Sequence, residues 1–432
     1  MRVALSITRS YRPNWGLWEG VRELIQNAKD AETEFNAPMS ISHSGDTLTM
    51  RNDDCSLSHS ALLLGETSKA DRTDLIGQWG DGLKIGILAL VRSGYEVRIE
   101  TGDEIWKPAL EYAEEFGGAE VLVVNIRKSR VRRFHVEVIV KGITAEQWAP
   151  IARKFRWLPG TPRANVSKTM YGDLLKDEPG AMYVRGIFVE NVANMEYGYD
   201  FNSVELDVDR QTVKYWSRDS ACREVLHAAC VTDDSMAPKL FTMLCAGTKD
   251  VEDFRYGTVT GESLRADLKQ LWIDQHGESV IPISCEDENE TLVHLGVRGV
   301  VVPAAAVKVF GDIVGTSEKV QAELAFSTKE VLDLDAIEHG DVMLEALIRL
   351  ETAGYAVSLD KLEVVEFLDP KILGQFEGGS GRIKIASKVL ARGLAHTIVT
   401  LVHEVAHGLE GNGRTHEQSI EKIMVDLLDS ML

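Results

Sequence analysis

The segment Glu23-Leu24-Ile25-Gln26-Asn27-Ala28-Lys29-Asp30-Ala31 decides the front of this chain. It lies inside a longer run, Asn14–Phe35, in which Leu17, Val21, Leu24, Ile25 and Ala28 recur at helical spacing and Pro38 closes the element. Glu23, Asn27 and Asp30 stand at i, i+4 and i+7. One stripe of an otherwise apolar helix therefore carries a carboxylate, an amide and a second carboxylate. Taken alone, that stripe also describes the wet face of any amphipathic helix.

The surroundings add to it. Met39–His43 and Thr47–Asn52 alternate and are joined by Ser44-Gly45-Asp46, the pattern of a hairpin. A glycine-bearing stretch from Gly65 to Gly82 leads into an apolar helix, Leu83–Val91. Strands are expected near Tyr95–Thr101, Val121–Ile126 and Val136–Val140, and a helix over Ala145–Phe155. This pattern predicts an α/β sandwich with helices on one side of a mostly antiparallel sheet. Within it, Ile76-Gly77-Gln78-Trp79-Gly80-Asp81-Gly82-Leu83-Lys84-Ile85-Gly86 is a glycine-rich loop running straight into a helix. Glycines let backbone N–H groups approach a phosphate closely, and the helix start adds its positive dipole end. Lys84, one turn in, offers a point charge to the same phosphates.

Together these motifs resemble the Bergerat-fold, or GHKL, ATPases, a superfamily that includes gyrase, MutL, heat-shock chaperones and the MORC proteins. Glu23–Ala31 is similar to its ExxxNxxDA box, and Leu64–Lys69 and Ile76–Gly86 to the two ends of its ATP lid, the latter closest to the MORC form. The resemblance spans roughly residues 10–160. It implies ATP and Mg²⁺ as ligands, with Glu23 as the general base for the attacking water, Asn27 as the Mg²⁺ ligand and Asp30 as an organiser behind them. Backbone around Gly80 and Gly82, with Lys84, would cradle the phosphates, and Lys69 would reach them from the other end of the lid. One departure is plain. Where the family places DxGxG, this chain reads Asn52-Asp53-Asp54-Cys55-Ser56, so Asn52 stands in for the adenine-reading Asp and both glycines are lost. An Asn carbonyl still accepts from the adenine amine, with no negative charge and no tight turn to support it. The family's Thr near its last strand has no clear counterpart, Phe134-His135 occupying that place.

Farther along, Arg210, Gln211 and Lys214 form a polar patch, which suits either a solvated loop or a basic contact to the γ-phosphate. From about 255 to 315 the order is helix, strand (Val280–Ser284), short helix, strand (Gly299–Val302), helix, which predicts a small α/β module with at least one parallel pair. Helices are expected at 317–333 and 338–353, and a strand at Arg382–Ala386.

The back of the chain carries His403-Glu404-Val405-Ala406-His407 inside an apolar helix. Two imidazoles one turn apart share a face and both reach one Zn²⁺, with Glu404 beside it as general base. Thr400-Leu-Val before the motif and Gly408 after it resemble the helices of zincin metallopeptidases. Gly381–Ala386, just upstream, is a candidate edge strand for holding a peptide by strand addition. The metzincin third-ligand positions hold Glu410 and Gly413, which excludes that class. His416-Glu-Gln-Ser-Ile-Glu421 resembles the segment that follows in SprT-like and minimal zincins, which points to His416 as third ligand, with Glu417 and Glu421 as alternatives. His396 shares the helix face and reads as an ordinary core partner.

Composition bounds the rest. The chain has 432 residues, of which 67 are acidic and 47 basic, a net charge of −20. Such a chain repels nucleic acid and anionic membranes unless its cations are gathered on one face. One gathering exists: residues 127–163 hold ten Lys or Arg against two acids. Five cysteines, none in a CxxC pair, fit a reduced cytoplasmic protein with neither a disulfide framework nor a cysteine-bound zinc. No apolar run reaches membrane-spanning length. The overall expectation is an α+β, multi-domain chain: an ATP-binding domain over 1–160, its extension over 161–230, a small α/β module over 231–316 and a mainly helical zincin-like domain over 317–432. The pairing resembles bacterial and phage proteins. Three functions compete: an ATP-binding, zinc-dependent metallopeptidase gated by nucleotide, alone or as a homodimer, with an unknown protein substrate; a MORC- or chaperone-like clamp; or an ATP-binding interaction protein, the zincin part being structural in the last two.

Overall fold

The computed structural model describes residues 1–63, 81–158, 165–206, 212–324, 326–409 and 415–431. The chain is a mixed α+β protein that divides into two compact units, one comprising Met1–Ala164, Met182–Glu190 and Asp200–Ser203, the other the remainder. No helix among the described residues is long and apolar enough to cross a membrane.

The first unit is built on seven strands: β1 (Arg2–Thr8), β2 (Met39–Ser44), β3 (Thr47–Asp53), β4 (Glu96–Thr101), β5 (Glu104–Ala113), β6 (Ala119–Lys128) and β7 (His135–Lys141). Their order is β1-β6-β5-β4-β7-β3-β2 and every neighbouring pair is antiparallel. Helices α1 (Leu17–Phe35), α2 (Gly82–Arg92) and α3 (Ala145–Ala152) bury one face of this sheet. Val21, Leu24 and Ile25 of α1 and Ile87, Leu88 and Leu90 of α2 join Leu48, Met50, Ile99, Trp106, Val124 and Val140 in one core. The other face is where Arg98, Lys107 and Arg127 alternate outward. Helix α1 ends at Asn36 in the left-handed region, and Pro38 bars its continuation.

Helices α1 and α2 cross at contact distance because both are glycine where they touch. A Cβ on Gly20 would lie 2.6 Å from Leu90 Cγ, and one on Gly86 2.9 Å from Glu23 Cβ. At the far end of α2, the Arg92 guanidinium donates to the carbonyls of Arg9, Tyr11, Arg12 and Trp15 at 2.7–2.9 Å. That grip fixes the loop between β1 and α1.

Between 166 and 201 come five short strands, β8 (Val166–Lys168), β9 (Gly172–Leu175), β10 (Ala181–Val184), β11 (Ile187–Asn191) and β12 (Gly198–Phe201). The second unit continues with α4 (Tyr215–Thr232), α5 (Ala237–Ala246), α6 (Glu262–His276), β13 (Val280–Ile283), α7 (Asp287–His294), β14 (Arg298–Val301), α8 (Ala304–Val314) and α9 (Ser317–Leu324). β13 and β14 form a parallel pair, as the helix–strand alternation predicts. A buried Asp250 ties this region together, accepting the backbone N–H groups of Glu196 and Tyr197 and the Tyr199 hydroxyl. Burial pushes its carboxyl up, and those three donors offset part of the rise.

The last segment holds β15 (Thr328–Leu332), α10 (Gly340–Thr352), β16 (Leu362–Phe367), β17 (Gly374–Glu377), β18 (Arg382–Ala386), α11 (Ser387–Leu390), α12 (Leu394–Leu409) and α13 (His416–Ser430). Its four strands run in the order β15-β16-β18-β17, with β16 and β18 parallel and the outer pairs antiparallel. Met343, Ala346 and Leu350 of α10, Leu401, Val402 and Ala406 of α12, and Ile423 and Leu427 of α13 share one core with the strands. Two expectations are corrected here. The helix predicted over 317–333 stops at Leu324, and Thr328–Leu332 is a strand, because pairing with β16 outweighs the helix propensity of Lys329, Glu330 and Leu332. The candidate edge strand Arg382–Ala386 is interior; the edge on that side is β17.

Candidate functional sites

In the first unit, α1 and α2 bring several of the expected residues together. Glu23 is buried, and the Arg22 guanidinium donates to its Oε1 from Nε at 3.2 Å and from its terminal nitrogen at 2.9 Å. Arg22 in turn lies under the Trp15 ring, 5.3 Å from its centroid. A Cβ on Gly82 would run into Glu23 Oε2 and come within 3.7 Å of Asn27 Nδ2. The first residue of α2 is thus pressed against the carboxylate and the amide of α1. Asn27 Nδ2 donates to the Glu23 carbonyl at 2.7 Å, which leaves Oδ1 as the amide's acceptor atom. Asp30 is buried on the same helix.

Two side chains are more engaged than their sequence positions indicate. Lys84 is almost wholly buried; its Nζ pairs with Asp81 at 3.2 Å and donates to the Leu63 carbonyl. Asn52 is buried and its Nδ2 bridges two carbonyls, Ala28 at 2.8 Å and Ala37 at 3.0 Å, joining α1 to the chain entering β2. Both amide hydrogens are spent on the fold, so only Oδ1 is left of the amide as an acceptor. Across the β3–β7 pair, His135 stands opposite Asp53 and Val136 opposite Asn52, so no Thr occupies that place. A buried Thr does stand at the end of β4: Thr101 accepts the Leu57 N–H at 2.8 Å. Lys69, Gly80, Arg210 and Gln211 lie outside the described residues, as do Glu410 and Gly413. Lys214 pairs with Glu205 at 2.8 Å.

In the second unit, His403, His407 and His416 are brought together, their ligand atoms all within 4.8 Å of one another. The His407 and His416 rings stack with centroids 3.9 Å apart, and His403 stands edge-on to both. His416 is the first residue of α13, and its place is set by a capping box. Thr415 accepts the Gln418 N–H, and the Gln418 side chain accepts the Thr415 N–H. The signal Thr-x-x-Gln was present in the sequence. Among the described residues neither Glu417 nor Glu421 belongs to the cluster.

A donor set of three imidazoles suits zinc. Zinc–nitrogen bonds of about 2.0–2.1 Å in a tetrahedron put the nitrogens about 3.3 Å apart; His416 Nε2 and His403 Nδ1 are 3.4 Å apart. The residues present therefore fit the ion. Glu404 is buried beside them and faces β17. A Cβ on Gly374 would lie 2.6 Å from its Oε1, and Phe376 donates its backbone N–H to the carboxylate. Burial pushes the Glu404 carboxyl up, while His407 and that N–H draw it partly back. Phe376 also packs on Gly408, where a Cβ would lie 3.2 Å from the ring. Sequence reading placed the motif helix but missed β17, whose four residues Gly-Gln-Phe-Glu carry no strand alternation of their own.

No protein-family model matches the chain, and no curated protein matches it. Among solved structures, the ATPase region of Saccharomyces cerevisiae topoisomerase II is similar in part, both alone and bound to ICRF-187 (dexrazoxane). Each shows 11% identity and a TM-score of 0.28, covering 40% of this chain and 62% of the other. The chain thus spans less than two-thirds of the length of those structures.

Proposed function

We propose that this chain is a nucleotide-binding, zinc-dependent peptidase of the GHKL-plus-zincin type, with ATP and Mg²⁺ taken by the first unit and a peptide bond cleaved at the second. The observation that carries the reading is the cluster of three imidazoles within 4.8 Å beside a buried carboxylate of α12 packed against the edge strand β17. His403, His407 and His416 would hold the ion. Zinc, when bound, supplies a Lewis acid that polarises a carbonyl and makes a nearby water more acidic. Glu404 takes the proton from the attacking water and returns it to the leaving amine. The outer edge of β17, unpaired by any strand among the described residues, would offer backbone groups to an extended peptide, fixing its register over the helix.

At the front, Asn27 Oδ1 would hold Mg²⁺, the backbone N–H groups at the start of α2 would meet the phosphates, and Glu23 Oε2 is the oxygen turned toward that start. Nucleotide would gate the peptidase through lid closure and dimerisation. A second reading has its own support: Glu23 is ion-paired to Arg22 and Lys84 to Asp81, which suits a chain that binds ATP and turns it over slowly.

The test is metal and nucleotide content of the purified full chain, followed by proteolysis of an unfolded protein. One zinc per chain, bound ATP, and cleavage lost in Glu404→Gln support the peptidase. A zinc-free protein that dimerises with nucleotide supports the clamp, and ATP hydrolysis that is absent and unchanged in Glu23→Ala supports the interaction protein.

A further inference from the structure

We infer that the corner of the first unit's sheet around the β6–β7 connection binds single-stranded nucleic acid. Residues 127–134 read Arg-Lys-Ser-Arg-Val-Arg-Arg-Phe, five cations and no acid in a chain of net charge −20. The structure sorts these cations into two kinds. Lys128 is spent on Asp103 at 2.9 Å and Glu104 at 3.1 Å, and Arg133 on the buried Glu100 at 2.5 Å, where Arg98 also pairs. Those bridges, with Ser129 N–H donating to the Asp103 carbonyl and Arg133 N–H to that of Gly102, pin the connection across the β4–β5 turn. Arg127, Arg130 and Arg132 are exposed and form no ion pair among the described residues. Lys107 joins them: it lies opposite Asn125 in the β5–β6 register, so Lys107 and Arg127 are diagonal neighbours on the sheet's outer face.

Glu100, Asp103 and Glu104 are thus paired, while four cations without an ion pair among the described residues remain at one end of the sheet; the exposed Asp54 donates its N–H to the Phe134 carbonyl. Two large apolar side chains are exposed between them, Val131 at 60% and Phe134 at 73%, and the Arg132 guanidinium sits 5.8 Å from the Phe134 ring. Three of the four cations are arginine, whose planar fork matches phosphate oxygens and whose flat face stacks. An exposed ring beside them stacks on an unpaired base, which a duplex does not offer. An acidic peptide would use the charges and leave Phe134 idle. The strongly anionic remainder repels the strand elsewhere and confines it to this corner.

The test uses the full-length protein and fluorescence anisotropy of a labelled 20-nucleotide thymidine strand, with the matching uridine strand, a duplex and polyaspartate as comparisons. Four phosphate contacts at about 0.7 each predict that log K falls with log salt with a slope near about −3. The triple variant Arg127→Ala, Arg130→Ala, Arg132→Ala brings that slope to about −1 or shallower. Phe134→Ala weakens binding about tenfold and leaves the slope unchanged. All of these side chains are exposed, so the variants keep the wild-type thermal transition; Arg130→Glu alone repeats the test if the triple variant does not. Comparable binding of the two strand types supports the inference, since stacking and phosphate contacts ignore the sugar. No binding at low salt, a triple variant that binds like wild type, or duplex and polyaspartate bound as tightly as the single strand with Phe134→Ala silent, each overturns it.

Discussion

Gly374 on the edge strand and Glu404 on the motif helix are in contact so close that a single methyl group at position 374 would lie 2.6 Å from the carboxylate oxygen and 2.9 Å from its Cγ. Both partners are constrained, Glu404 by burial and by the Phe376 N–H, Gly374 by pairing with Ile385. Gly374→Ala is expected to cost about 1–3 kcal/mol, the usual cost of overpacking. It should also move Glu404 relative to the three histidines. Thermal or urea unfolding reads the first effect. The second appears as a loss of any Glu404-dependent cleavage larger than the stability loss accounts for.

The histidine cluster predicts a metal-dependent transition. Removing zinc with a chelator should lower the unfolding midpoint of the wild type, because an ion that binds only the folded chain stabilises it by mass action. His416→Ala should reduce bound zinc well below one per chain and abolish the chelator effect, whereas Glu417→Ala and Glu421→Ala should leave both unchanged. Elemental analysis with and without chelator decides it. A His416→Ala protein that keeps a full zinc would return the third-ligand role to the carboxylates.

Asn52 predicts that restoring the residue the resembled family uses would do harm. Asn52→Asp replaces two N–H donors by an anion facing the carbonyls of Ala28 and Ala37. Two lost hydrogen bonds and lone-pair repulsion in a buried place should cost about 2–4 kcal/mol. Tighter ATP binding by Asn52→Asp at unchanged stability would contradict this.

The acid limb of stability should carry the signature of Glu104. Its partial burial pushes the carboxyl up, but hydrogen bonds from Trp106, His59 and Lys128 outweigh that and hold it at about 2. A carboxyl lowered on folding contributes stability that is fully present above its unfolded value, near 4.5, and is lost as pH falls through 2. The difference in unfolding midpoint between wild type and Glu104→Gln should be full at pH 5 and shrink as pH falls toward 2. A difference that does not change with pH would show that the three donors hold Glu104 by geometry alone.

The parts legible in the sequence are those where one side-chain period dominates. The hairpin Met39–Ser44 and Thr47–Asp53, the helix from Leu17 and the helix bearing His403 all follow their apolar spacing. β5 was missed because Lys107, Pro108 and Glu111 interrupt it. The structure accommodates Pro108 since β4 pairs with β5 only from Glu104 to Trp106, and beyond that no β4 partner asks position 108 for an N–H. β1 was also missed, although Leu5 and Ile7 alternate inward along it. At the sites, spacing along a helix placed Glu23, Asn27, His403 and His407. What it does not carry is contact between elements, so the pairing of Lys84 with Asp81 and Leu63, and of Glu404 with β17, was invisible.

The grip of Arg92 on four carbonyls makes α2 a rod fastened at its far end. Eleven residues make it about 16 Å long, and its near end rests on Glu23 and Asn27. Seated between Gly20 and the sheet, it has little room to bend. Anything that pushes Gly82 away from α1 must shift the whole rod and drag the loop after β1 with it. Events at the front of α2 are thereby legible some three helical turns away, at the surface around Tyr11.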